Sequence, residues 1–130
     1  MADGVESTVR QFLEAFNAAD LPAMRRLLAD DAKAYVTDAE GGQTLVDGAD
    51  AYLAAITAMD LPSAEFGVTI TQAPVLVDDD RVLVMVEVVA GRDGRSLHNF
   101  AAHLIRVTDG RITELRMVEA KPAESDTFWS

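Results

Sequence analysis

The stretch RVLVMVEVVAGRDGRSLHNFAAHLIRVTDGRITELRMVE, residues 81–119, decides the fold class. Three β-rich runs, Arg81 to Ala90, Arg95 to Val107 and Arg111 to Glu119, follow a period of two. Gly91-Arg92-Asp93-Gly94 and Asp109-Gly110 separate them, and turns this short leave no room for a crossover, so the three form an antiparallel meander. A fourth run, Phe66 to Ala73, precedes them. Val82, Val84, Val86 and Val88 share one face, which reads equally as core or as a subunit contact; Leu83, Met85, Glu87 and Val89 share the other.

Upstream the period changes to that of helices. Val5, Val9, Phe12, Leu13 and Phe16 form an apolar stripe, with Asp3 and Glu6 spaced as a cap. Asp20 can cap a second helix with Pro22 in its first turn and Met24, Leu27 and Leu28 inward, ending at Asp30-Asp31. Ala34 to Thr37 and Thr44 to Val46 read as a small hairpin about Asp38-Ala39-Glu40-Gly41-Gly42. A third helix follows Asp47-Gly48, carries Ala49, Tyr52, Leu53 and Ile56 on one face, and closes at Asp60-Leu61-Pro62-Ser63. Helices first and sheet afterwards define an α+β class. Residues 121–130 are polar until Phe128-Trp129, two rings that imply a docking C-terminal tail.

At 130 residues, with 49% hydrophobic and 25% charged, the chain reads as a single domain, 1–130. Its 22 acidic and 11 basic residues give a net charge of -11, which disfavours nucleic acid and anionic membrane surfaces as partners. The absence of cysteine and the polar opening residues read as cytoplasmic.

The phrases Phe12-Leu13-Glu14-Ala15-Phe16-Asn17-Ala18-Ala19-Asp20-Leu21, Leu27-Leu28-Ala29-Asp30-Asp31-Ala32 and Val46-Asp47-Gly48 resemble those of SnoaL-like proteins in the nuclear-transport-factor-two-like superfamily. The resemblance runs over almost the whole chain, to the hairpin Leu104 to Glu119. It implies a cone-shaped curved antiparallel sheet covered by three N-terminal helices around an apolar pocket, a small hydrophobic ligand, and a homodimer. An open sheet with one face covered by helices points to the homodimer as well.

Steroid isomerases of the superfamily use a tyrosine, an aspartate base and a second, protonated aspartate. Matched on these phrases and on His103, the equivalents here are Phe12, Val36 and Ala102. The last-strand aspartate of SnoaL-type cyclases falls at Met117, and the Arg-x-Asp of the epoxide hydrolases is replaced by Arg106-Val107-Thr108. Two carboxylates stand two residues beyond lost positions, Asp38 after Val36 and Glu119 after Met117, and a displacement of two keeps a strand residue on its face. If Ala102 faces the pocket, so do His98 and Phe100, while His103 faces away. Asp38, His98 and Glu119 are therefore the expected acid/base groups. Phe12, Phe16, Tyr35, Tyr52, Ile56, Phe100, Leu115 and Met117 are the expected substrate wall. Glu87 is expected on the pocket face or paired with Arg106 or Arg116. Two histidines on opposite faces cannot share an ion, so no metal is expected, and no cofactor. The sequence leaves two functions open. One is a cofactor-independent isomerase or cyclase moving protons on a hydrophobic carbonyl or polyketide-like compound; the other is a noncatalytic binder of an apolar ligand or a dimeric interaction module.

Overall fold

The computed structural model describes residues 2–130, with side chains from residue 4 onward, so the capping role read for Asp3 lies outside the described side chains. Helix α1 (Ala2–Asn17) buries Val9, Phe12 and Leu13 along the stripe that predicts it. Asp20 caps α2 (Leu21–Leu27) by accepting a hydrogen bond from the Ala23 N–H at 3.1 Å. That helix stops earlier than its apolar residues suggest. Leu28 takes extended backbone angles and opens strand β1 (Leu28–Thr37), so Leu28 is buried from the sheet and not from a helix.

Strand β2 (Gln43–Asp47) pairs with β1 in the expected hairpin. Helix α3 (Ala49–Met59) follows Gly48, whose φ of 101° suits glycine, and buries Ala49, Tyr52 and Ile56. A single 3-10 turn, Leu61–Ala64, leads to β3 (Gly67–Leu76), β4 (Arg81–Arg92), β5 (Arg95–Thr108) and β6 (Arg111–Glu119). Asp93-Gly94 and Asp109-Gly110 all have positive φ, which turns the meander in two residues with the twist that antiparallel neighbours need.

The sheet order is β2-β1-β6-β5-β4-β3. Every pairing is antiparallel save β1 with β6, which runs parallel because the chain crosses from one half of the sheet to the other through α3 and the meander. The sheet curves, and α1, α2 and α3 lie on its concave side. Val82, Val84 and Val86 are fully buried there, which settles the valine face as core. The last element, α4 (Pro122–Trp129), lies against β5 and buries Phe128 beside Ala90 and Leu97. Two arginines of the β4–β5 hairpin flank it: Arg92 lies 5.8 Å over the Phe128 ring and 5.5 Å over Trp129, and Arg95 lies 5.5 Å over Phe128.

Candidate functional site

Between the concave face and the helices lies a cavity of about 290 Å³, near the lower end for small-ligand sites. Its walls are mainly apolar, with Phe16 from α1, Tyr52 and Ile56 from α3, and Val86 and Val88 from β4. Polar groups enter as well, beginning with Thr37 of β1. Strand β5 supplies Asn99 and His103, β6 supplies Glu119, and α4 supplies Ser125 and Asp126.

The strand register explains how they meet. Met117 stands opposite His103 and Glu119 opposite Ala101, so Glu119 is the diagonal neighbour of His103 on the inward face. Buried Asn99 organises the outer end: its amide donates to Glu119 Oε1 at 2.9 Å, while its Oδ1 accepts the backbone N–H groups of Phe100 and Lys121, each at 2.9 Å. The Thr37 hydroxyl donates to the Met117 carbonyl at 3.0 Å and accepts from the Glu119 N–H at 3.2 Å, fixing the backbone that carries the carboxylate.

Desolvation raises the Glu119 pKa above the ordinary carboxylate value, partly opposed by hydrogen bonds from Ser125 and Asn99. Burial drives His103 the other way, to about 4, so its imidazole is neutral at physiological pH. His103 is partly buried and lines the cavity. Burial also raises the Tyr52 pKa, which keeps its phenol protonated. The pair Glu119 and His103 thus offers an underneutralised carboxylate and an uncharged imidazole on one apolar wall.

Of the residues expected at the site, Phe16, Tyr52, Ile56, Met117 and Glu119 line the cavity. Phe12 and Leu115 are buried in the core and do not line it; Phe12 stands one ring behind the wall, 6.4 Å from Phe16 and 6.4 Å from Tyr52. Four others lie elsewhere. Asp38 closes the β1–β2 turn, its Oδ1 accepting the N–H groups of Glu40 at 3.0 Å and Gly42 at 2.8 Å. Tyr35 is on the outer face beneath Arg116, 4.1 Å from its ring centroid. His98 and Phe100 also face outward, 5.0 Å apart, and His98 Nε2 meets Glu87 Oε2 at 2.5 Å. Glu87 is therefore outside the cavity and paired with His98, not with an arginine.

The reason for the exchange of histidines is strand parity. Odd residues of β5 from Leu97 to Val107 point inward, one position away from the face assigned through Ala102. Arg106 on the even face carried the signal, because a charged residue at mid-sheet marks the solvent side. Asn99, Ser125, Asp126 and Trp129 are among the cavity residues absent from the expected site.

A curved, unclosed sheet with helices on its concave side and an apolar cavity between them defines the class: an α+β cone built around an internal cavity. Residues 9–115 match the family model described as a SnoaL-like domain, and the chain belongs to that family. An uncharacterised protein of Mycobacterium tuberculosis is 31% identical over 124 residues, covering 94% of this chain and 93% of that protein. Among solved structures, Bal32a from a soil-derived mobile gene cassette superposes with a TM-score of 0.86 at 21% identity, covering 99% of this chain and 98% of that one. A Mycobacterium tuberculosis protein in complex with estradiol-17beta-hemisuccinate superposes with a TM-score of 0.71 at 18% identity, covering 88% and 92%. These likenesses extend the cone fold over nearly the full chain.

Proposed function

We propose that the chain binds a small hydrophobic carbonyl compound in the cavity and moves a proton on it without a cofactor, as an isomerase or cyclase does. The carrying observation is that Glu119 and neutral His103 face the same apolar cavity from adjacent strands. Glu119 takes a proton from the carbon beside the carbonyl, its raised pKa making it a stronger base than a solvated carboxylate. The N–H of His103 hydrogen-bonds the carbonyl oxygen as enolate charge develops there, a role suited to an uncharged imidazole. Protonated Glu119 then returns the proton to a different carbon, which completes an isomerisation. The steroid complex of the mycobacterial relative supports a hydrophobic ligand.

Trp129 is the only tryptophan in the chain and lines the cavity, so its fluorescence reports occupancy directly. Hydrophobic cyclic ketones are expected to change that emission on titration. In D2O the wild-type protein should exchange the ketone's α-protons by NMR, and Glu119→Gln should slow exchange about a hundredfold. Binding without wild-type exchange would favour a noncatalytic carrier, the second reading, which the mostly apolar wall supports.

We also propose that the outer face of the sheet joins two copies. Met85 (40% exposed), Phe100 (39%) and Val118 (60%) stand there on neighbouring strands. Met85 and Val118 flank Ala102 in one row. Sedimentation equilibrium should give a dimer for the wild type and a shift toward monomer for Phe100→Glu; a wild-type monomer at micromolar concentration sinks the idea.

A further inference from the structure

The face that α4 turns to the cavity is unusual for a docked helix. Pro122, Ser125, Asp126 and Trp129 all line the cavity, at helical spacings of three, four and seven. Such a stripe ordinarily carries apolar side chains. Here Asp126 stands at the cavity rim one turn before Trp129, exposed and in no ion pair among the described residues. Glu119, farther in, also lacks a basic partner, and its carboxylate is held by neutral donors alone.

No lysine or arginine lines the cavity among the described residues. Arg92, which lies 5.5 Å over the Trp129 ring, donates to the Met59 carbonyl at 2.9 Å and packs on the aromatic rings of α4. Lining the same cavity as the two carboxylates is a run of aromatic rings: Phe16 and Phe66 stack at 5.4 Å, and Phe66 meets Trp129 at 6.1 Å. His103, partly buried, lines the same space and makes no hydrogen bond among the described residues. Aromatic faces beside unneutralised carboxylates are the surroundings that an organic cation prefers to water.

We propose that the ligand of this cavity carries a positive charge: an organic ammonium ion whose apolar body lies along Phe16 and Phe66 and whose cationic end meets Asp126 and Trp129 at the rim, with Glu119 farther in left free to act as the base. This rests on the cavity's being a ligand site, and it adds the charge class of that ligand. Carboxylate-bearing molecules are rejected by the same two acidic residues, in a chain of net charge -11.

The test uses the full chain and three probes that share a ring and differ in charge: cyclohexanemethylamine, cyclohexylmethanol and cyclohexanecarboxylate. Binding is read by calorimetry and by Trp129 emission at pH 7.5 and low salt. The ammonium is expected to bind about tenfold more tightly than the alcohol, from one charge pair plus a ring contact, and the carboxylate weakest of the three. Asp126→Asn, at an exposed helix position that should not perturb folding, is expected to lose most of the ammonium's advantage over the alcohol. An alcohol that binds as tightly as the ammonium, or a carboxylate that binds as well as either, overturns the cationic class while leaving the cavity as a ligand site. If none of the three binds, the ligand-site reading falls and the cationic class falls with it.

Discussion

Lowering the pH from 6.5 to 4 is expected to remove about 3 kcal/mol of stability from the wild type relative to a His103→Gln variant. The sign follows from the direction of the shift. Burial lowers the folded-state pKa of His103 from 6.5 to about 4, so between these values the unfolded chain holds a proton that the folded chain excludes. Stability from the neutral imidazole is complete above the unfolded pKa and is lost as pH falls through this window. Glu119 acts in the opposite sense. Its folded pKa is raised, so the folded chain takes up that proton first and regains stability as pH falls toward 4.5. Comparing wild type with His103→Gln cancels the Glu119 contribution, because both proteins keep that carboxylate. Asp30 and Asp78 have lowered pKa values and lose their contributions only as pH falls below about 4, outside the window. Urea unfolding at half-unit steps of pH checks this; parallel curves for the two proteins would show that His103 protonates freely in the fold.

Asn99→Ala should destabilise the fold by about 3 to 4 kcal/mol, the sum of unmade bonds to the Phe100 and Lys121 N–H groups and to Glu119. Asn99 is 2% exposed, so water does not replace those partners. The loss has a local sequel. Lys121 leads directly into α4, and its N–H bond to Asn99 fixes the start of that helix over the cavity. The variant should therefore show increased amide exchange in residues 122–129 under conditions where β4 and β5 remain protected. The pKa of Glu119 should also rise further, since one of the two hydrogen bonds that lower it is gone. Unchanged urea midpoints, or exchange rising evenly across the sheet, would refute the role assigned to Asn99 as the joint between strand, carboxylate and helix.

The correspondence between sequence and structure is close where the signals are local. The valines at 82, 84 and 86 alternate into the core, Asp93-Gly94 and Asp109-Gly110 adopt the positive φ that two-residue hairpins require, and the stripe of Val9, Phe12 and Leu13 buries one side of α1. The inward face of Glu119 was legible for the same reason, since a displacement of two along a strand preserves its face, and it lines the cavity. Asp38 met the same spacing criterion but lies past the last β1 residue, where alternation no longer governs and its carboxylate binds turn N–H groups.

Sequence by itself determined the first three helices, the order of helices and strands, the meander and the α+β class, because helix stripes, strand alternation and turn chemistry are set by neighbours a few residues apart; the tail's helix, Pro122–Trp129, was not among them. Only the tertiary structure decided which histidine enters the cavity, that β1 runs parallel beside β6, and that α4 brings Ser125, Asp126 and Trp129 to the cavity. Strand β5 shows why. Apolar side chains stand on both of its faces, Leu97, Ala101 and Ile105 on one and Phe100, Ala102 and Leu104 on the other, so alternation alone does not say which is inside. That choice is made when the helices pack on one side of the sheet, and it depends on contacts between residues far apart in the chain.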